Sequence, residues 1–477
     1  MPKIYDNFQR KFSEGLVGHL QTANRVDYCA GYFNLRGWKT VSDGVDALPG
    51  VVVREGNTDR TRDYRADDFA AAKEDLSARQ TELRGKLDKL LYENDYEAVN
   101  DADWRDNYQP FHWVSEFYSI IVEKRGFDII IGNPPYVEYS DRNVSYKITA
   151  NSLSTYATKN LYSYVFARSK VLLHQDSFIS LIVQISAVST PNMESMAQEI
   201  RSGSSANWIS NYATRPACLF DGITMNLSII TSIIGNHSRM KTFSTHYIRW
   251  QQQHREYVFD CLRYVEVAPD NFLFKFAIPK LQSDADNSIL KKLTTNKNKL
   301  QSYLAEGIST IENRLYYRTA GGRYFKIFMD SAFGTESTSN KDKAFDSRYS
   351  VYAIIAILSS NLWWCYYTLH FDMYNCKDYM MFKFPFDYNK CESINELISV
   401  GKAVRDSMLN NAERRLQNYR TTGGREQLIF RPSLSKPIID EIDTILAKHY
   451  GFTEEELDYI INYDIKYRMG LSGGDAE

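Results

Sequence analysis

A chain of 477 residues has the length of about three ordinary domains at roughly 150 residues each, enough to bury a large core. Its 43% hydrophobic and 24% charged residues are ordinary globular values and exclude a disordered, collagen-like or coiled-coil composition. The net charge of −2 excludes a protein that coats nucleic acid by bulk electrostatics, so any contact with phosphate has to be local.

Six cysteines, Cys29, Cys218, Cys261, Cys365, Cys376 and Cys391, form no CxxC pair and no Cys/His cluster at zinc spacing. Reduced thiols in a cytoplasm are the simplest reading, and no metal is expected. No basic start precedes an apolar run, and no clean apolar stretch reaches the ~18–20 residues a membrane span needs. Residues 351–371 come closest, but Ser359, Ser360, Asn361 and His370 interrupt them, and they read as a buried core helix. A membrane is not an expected partner.

In chain order, an amphipathic helix is expected over residues 8–20 and a strand over 26–33, ending near Gly37. The composition breaks at 54–68, where Arg54, Glu55, Asp59, Arg60, Arg62, Asp63, Arg65, Asp67 and Asp68 make a polar junction. Leu76, Leu83, Leu87 and Leu90 then recur at helical spacing, which predicts a helix over 69–92 with one apolar face packed on its own domain; a partner coiled coil is the other reading.

Residues 127–131, Phe-Asp-Ile-Ile-Ile, predict a buried parallel strand that stops at Gly132, Asn133, Pro134 and Pro135. A helix over 161–174 and a strand over 178–187 complete a strand, crossover helix and strand, the unit of an α/β sheet. Ligands in such sheets bind beyond the carboxyl ends of strands, where the Asn-Pro-Pro-Tyr loop is expected. Further strands are expected at 208–213 and 227–234. Residues 260–430 read as a separate α+β domain with a turn at Gly321 and Gly322. The end is helical: 436–450 stops at Gly451, and Thr453 with Glu456 forms a capping box for a helix to about 463.

The loop Asn133-Pro134-Pro135-Tyr136 carries the chemistry. An exocyclic amino nitrogen is a poor nucleophile because its lone pair is delocalised into the ring. Two acceptors, the Asn133 side-chain oxygen and the Pro134 carbonyl, can each take one amino hydrogen and localise that pair. The prolines hold φ fixed and bring no competing N–H donor. Tyr136 can stack on an extruded base, worth ~1–3 kcal/mol against an extrusion cost of a few kcal/mol. As a bare tetrapeptide the loop would be an ordinary turn; the strand before it gives it meaning. Asp128 has two readings, a pocket residue or a strand-start residue with local hydrogen bonds.

With Pro110-Phe111-His112-Trp113, Glu116 and Phe117 ahead of it, and Tyr212-Ala213-Thr214-Arg215-Pro216 and Leu219-Phe220-Asp221-Gly222 behind, the chain resembles the adenine-N6 DNA methyltransferases of type IIG restriction-modification and related phage-defence systems. Tyr316 to Gly322 and Tyr463-Asp464-Ile465-Lys466-Tyr467-Arg468 resemble later parts of that group, so the resemblance covers approximately 70–470. It implies an α/β fold, a partial Rossmann-like methyltransferase sheet followed by an α+β target-recognition domain and C-terminal helices. The corresponding boundaries are 1–50, a 51–105 linker and helix, a 106–255 catalytic half, 256–430 for target recognition and 431–477 for the last helices.

The resemblance further implies methyl transfer from S-adenosylmethionine to adenine in double-stranded DNA, with Asn133, Pro134, Pro135 and Tyr136 as the catalytic loop. Phe220 would face the base from the other side or belong to the core. Arg215 and Arg318 would contact DNA or be solvated surface groups. The family's earlier strand and Gly-rich turn for the donor has no counterpart: Gly31, Gly37, Gly44, Gly50 and Gly56 are scattered. Residues 1–50, with Gly31-Tyr32-Phe33-Asn34-Leu35-Arg36-Gly37-Trp38, resemble the opening of a phospholipase-D-like domain of defence helicases. The expectation is a DNA adenine methyltransferase, truncated and inactive alone; the alternative is a DNA-binding remnant or split subunit that takes no donor, with a second polypeptide supplying the donor site.

Overall fold

The computed structural model describes residues 66–93, 104–105, 108, 110–140, 142–144, 148, 153–220, 222–235, 240–307, 312–322, 324–334, 337–419 and 423–469. The elements expected within 1–50, and most of the polar junction, lie outside the described residues.

Helix α1 (Ala66–Glu93) forms where the leucine spacing predicts it. Among the described residues its apolar stripe is largely exposed rather than buried, which corrects the expectation: Leu76 is 68% exposed and Leu83 47%, with Leu87 half-buried. Polar contacts and an edge-on ring contact, Tyr92 with Trp104 at 6.2 Å, tie α1 to the segment ahead of β1. Arg84 grips Glu116 (Nη2 to Oε2, 2.7 Å) and Asp88 meets His112 at 2.7 Å.

A six-stranded mixed sheet carries the rest. Its strands are β1 (Phe127–Gly132), β2 (Leu173–Gln184), β3 (Ser204–Tyr212), β4 (Leu227–Ile234), β5 (Lys241–Ile248) and β6 (Val265–Glu266), in the order β1-β2-β4-β3-β5-β6. Helices α2 (Leu161–Leu172) and α3 (Glu194–Arg201) lie on one side. The expected parallel pair β1/β2 is present, with α2 as its crossover, and β4 enters antiparallel between β2 and β3. Strand β2 begins five residues earlier than the sequence pattern suggests, because the chain turns straight from α2 at Leu173.

Register explains why the two faces of this sheet differ. Leu181 pairs with Ile230, and Ile230 with Ile209, so these side chains share one face; all three are at most 1% exposed beneath Tyr162 and Phe166 of α2 and Met196 and Ile200 of α3. On the other face Ile129 pairs with Phe178, and Phe178 with Ile233. There Ile129 is 54% exposed, Ile131 61% and Phe178 43%. Among the described residues β1 is an edge strand, and its Ile129 and Ile131 face is exposed, unlike the buried strand its Ile-Ile-Ile run suggests.

Beyond the sheet, the buried core continues without a break to Met469. It is built on α4 (Asp284–Thr294), a three-stranded sheet in the order β8-β7-β9 (β7 Arg314–Arg318, β8 Phe328–Met329, β9 Asn340–Ala344) and a group of helices. The apolar run 351–371 is two helices rather than one, α5 (Val351–Ser359) and α6 (Asn361–His370). Ser360 is extended between them, and its hydroxyl accepts from Trp363 N at 2.9 Å, so the same serine that ends α5 caps α6. Every residue of α6 is buried.

Further helices follow this pair. Helix α7 (Asp378–Phe382) precedes α8 (Ile394–Asn410), which lies close on α5: a Cβ on Gly401 would stand 2.0 Å from Tyr352 O. Helix α9 (Lys436–Tyr450) stops at Gly451, and α10 (Glu454–Ile461) carries the expected Thr453/Glu456 capping box. Asp443 of α9 accepts from Asn361 N (3.0 Å) and Leu362 N (2.9 Å), covering the first amides of α6.

Candidate functional site

The loop that follows β1 leaves the sheet at its carboxyl end, as the sequence pattern predicts. Asn133 and Pro135 are exposed, Pro134 is buried and Tyr136 is half-buried. Among the described residues neither the Asn133 side chain nor the Pro134 carbonyl is taken by another group, and of the two residues Asn133 is the exposed one. Tyr136 is held at both ends. Its hydroxyl donates to Ile182 O at 3.1 Å, and its ring meets Tyr162 edge-on at 6.3 Å and 83°. Burial pushes the Tyr136 phenol up to about 12, so it stays a neutral donor at physiological pH. Past the loop, Leu161 N bonds Val137 O at 3.0 Å and ties the exit to the start of α2.

Tyr136 also packs against a second apolar cluster that contains Tyr212, Ala217 and Leu219. The 212–220 segment is thereby brought to the same end of the sheet as the loop. Phe220, in that segment, is 37% exposed, and Arg215 is exposed as well. Arg318 is not part of this cluster: it ends β7, in the other sheet, and is exposed. Asp128 lies at the opposite end of β1, where its Oδ1 meets His174 Nε2 at 2.9 Å, so its role is the local, strand-start one. That contact raises the His174 pKa, with the Asp128 hydrogen bond as the largest cause.

Sequence reasoning missed Asn226. It opens β4 at the end of the sheet where β1 and β2 finish, and it joins three segments: its Oδ1 accepts from Thr214 N (2.9 Å), its carbonyl from Ile185 N (3.0 Å), and its Nδ2 donates to Asp372 O (2.9 Å). Tyr374 takes its backbone N–H. A lone polar residue immediately before the apolar run 227–234 was the available signal.

The described residues do not fit S-adenosylmethionine. On the side of β1 away from β2 no described strand pairs, and the apolar side chains there are exposed. Of the described glycines before Asn133, Gly126 makes the sharp turn (φ 137°), but it stands at the far end of β1. An added Cβ on it would meet His174 N at 2.7 Å, so Gly126 serves the close approach of β1 to β2.

A mixed α/β sheet with an Asn-Pro-Pro-Tyr loop at the carboxyl end of its edge strand is the class of structure the geometry defines. Residues 41–216, rather more than a third of the chain, match the family described as Eco57I restriction-modification methylase. No curated protein matches the chain. Among solved structures, the type IIL restriction-modification enzyme MmeI in complex with DNA is similar at 10% identity over 74% of this chain and 58% of that one, with a TM-score of 0.42. A nuclease-deletion mutant of the type ISP enzyme LlaGI with a DNA substrate mimic is similar at 9% identity, over 69% and 46%, with a TM-score of 0.37. The chain spans about half the length of these two solved proteins. Likenesses of that size carry no weight for its activity.

Proposed function

We propose that this chain is the base-holding part of a site-specific DNA adenine-N6 methyltransferase, the modification component of a restriction-modification or phage-defence system. The observation that carries this reading is the free pair of acceptors, the Asn133 side chain and the Pro134 carbonyl, on a loop pinned by Tyr136 within the segment that matches a restriction-modification methylase. Asn133 and Pro134 accept the two amino hydrogens of an extruded adenine, and the Tyr136 ring supports the base. Phe220, partly exposed in the 212–220 segment, is the candidate for the opposite face of the base. The methyl donor of such an enzyme is S-adenosylmethionine; the described residues do not hold it. Incubation with labelled S-adenosylmethionine and mixed-sequence duplex DNA tests the reading: label transfer that disappears in Asn133→Ala supports it, and no transfer by the isolated chain sinks stand-alone activity.

The second reading is a split subunit or DNA-binding remnant, with the donor half on another polypeptide. The open edge of β1 and the uncovered apolar face beside it favour this reading, since a donor has to lie next to the Asn133 loop and that side is vacant among the described residues. Calorimetry separates the two. A saturable S-adenosylmethionine isotherm for the isolated chain contradicts the second reading; a flat one contradicts stand-alone methyl transfer.

A further inference from the structure

The loop 213–226 joins β3 to β4 at the carboxyl end of the six-stranded sheet, the end at which the Asn133 loop also stands. Its apolar residues and Tyr136 share one cluster: Ala217 and Leu219 are buried in it, and Ile223, Met225 and Tyr136 pack against it. Polar bonds close the loop at its base. Asn226 Oδ1 accepts from Thr214 N at 2.9 Å, the Thr214 hydroxyl donates to Ile223 O at 3.2 Å, and Ile223 N donates to Phe220 O at 3.3 Å. The chain around Phe220 is thus tied back to Asn226.

Asn226 is only 2% exposed, and its remaining donors are spent on the C-terminal half of the chain. Its Nδ2 donates to Asp372 O at 2.9 Å and its backbone N–H to the Tyr374 hydroxyl. That turn is itself held. The Asp372 carboxylate accepts from Tyr374 N at 3.1 Å around Met373, which has a left-handed φ of 68°. Just past it, the Tyr367 hydroxyl of α6 donates to Asn375 O at 2.7 Å, and Cys376 N donates to Thr319 O at 2.9 Å, next to the end of β7. An unbroken path of bonds and packing therefore runs from α6 and β7, through the 372–374 turn and Asn226, to the cluster on which Tyr136 rests. Coupling between separate parts of a fold is carried by contacts of this kind.

We propose that Asn226 is a positioning residue for the base-holding site: through Asp372 and Tyr374 it fixes the loop 213–226, and with it the packing of Tyr136, to the C-terminal half of the chain. The assignment rests on the reading that the Asn133 loop holds an extruded adenine, and it adds what sets the geometry of that site. The C-terminal half acts on the site here without touching the base.

The test places 3-fluorotyrosine at position 136 of the full chain and reads its fluorine NMR resonance under native conditions, beside urea unfolding of the same samples. Asn226→Ala removes both side-chain bonds but empties a buried position, so Tyr374→Phe is the second variant; Tyr374 is 40% exposed, and the change removes only its hydroxyl. Both variants are expected to shift or split the Tyr136 resonance, Asn226→Ala by more. A clamp that only adds stability lowers the urea midpoint and leaves the native resonance in place, and that result in Tyr374→Phe overturns the proposal. Mixed-sequence duplex DNA added to the wild type is expected to move the same resonance. If duplex moves it and neither variant does, the joint fails and the base-holding reading stands. If duplex leaves it unmoved, the base-holding reading fails, and the role given to Asn226 fails with it.

Discussion

One face of the six-stranded sheet is sealed along β2 and β4, whereas the other is open at β1 and the start of β2 and buried only towards the loop end, at Tyr212, Leu227 and Ile229. On one, Ile179, Leu181, Val183 and Ile230 are at most 1% exposed under α2 and α3; on the other, Ile129, Ile131 and Phe178 are 43–61% exposed. Strands buried on both faces read as continuous β-branched runs, and Ile129-Ile130-Ile131 is such a run. The difference teaches that β1 carries the sequence of an interior strand in the position of an edge strand. Its apolar content suits it to a cover that the described residues do not provide.

The largest expected effect breaks the covered face. Leu181→Ala removes a fully buried side chain and is expected to cost about 2–5 kcal/mol in urea unfolding, with the wild-type m value. If Ile131→Ala cost as much, the contrast between the faces would be wrong.

A second effect comes from the helical core rather than the sheet. Burial pushes the Asp286 and Asp443 carboxyls up to about 6, so the folded chain keeps protons that the unfolded chain, near the ordinary 3.8, has released. Stability is expected to fall as pH rises from about 4 to about 6 and to be level above, by roughly 2–3 kcal/mol per carboxyl. Urea midpoints across that window measure it, and the pH slope should shrink by about half in Asp286→Asn. A midpoint that rises with pH there would refute the assignment.

Smaller still, Ile131→Ala on the open face is expected to change stability by less than about 0.5 kcal/mol for the isolated chain. The same substitution is expected to weaken any complex that covers β1, so a sizeable loss without a partner would show that the face is already covered. The smallest effect is at the opposite end of the strand. The His174 pKa is raised by Asp128, so the stability this pair adds is present below about 6.5 and is lost as pH climbs through the folded value. Asp128→Asn is expected to bring the NMR titration of His174 back toward 6.5, and an unchanged titration would rule out the contact.

Local patterns were legible in the sequence where one residue decides the outcome. The turn of β1 into Asn133, the Gly451 stop and the Thr453 capping box all follow from chemistry within a few positions. The pattern failed where the answer depends on what lies across space. Leu76, Leu83 and Leu90 have the spacing of a packed face, and Ile129 and Ile131 that of a core strand, yet periodicity states which side is apolar and not whether anything covers it. At Ser360 the apolar run concealed a break, because composition outweighed one hydroxyl that caps a helix start. For the site, the loop itself was readable, whereas Asn226 meets Thr214, Ile185 and Asp372 only through long-range hydrogen bonds.

The Tyr136 ring is fixed before any ligand arrives, by the Ile182 carbonyl at one end and Tyr162 at its flank. A free aromatic side chain would have to surrender its rotamers on contact, and immobilising a mobile side chain at an interface costs ~0.5–1.5 kcal/mol. Here that ordering is already complete in the fold. An incoming planar group meets a rigid platform, and its dwell time should reflect the quality of the stack rather than the rate at which the ring finds its place.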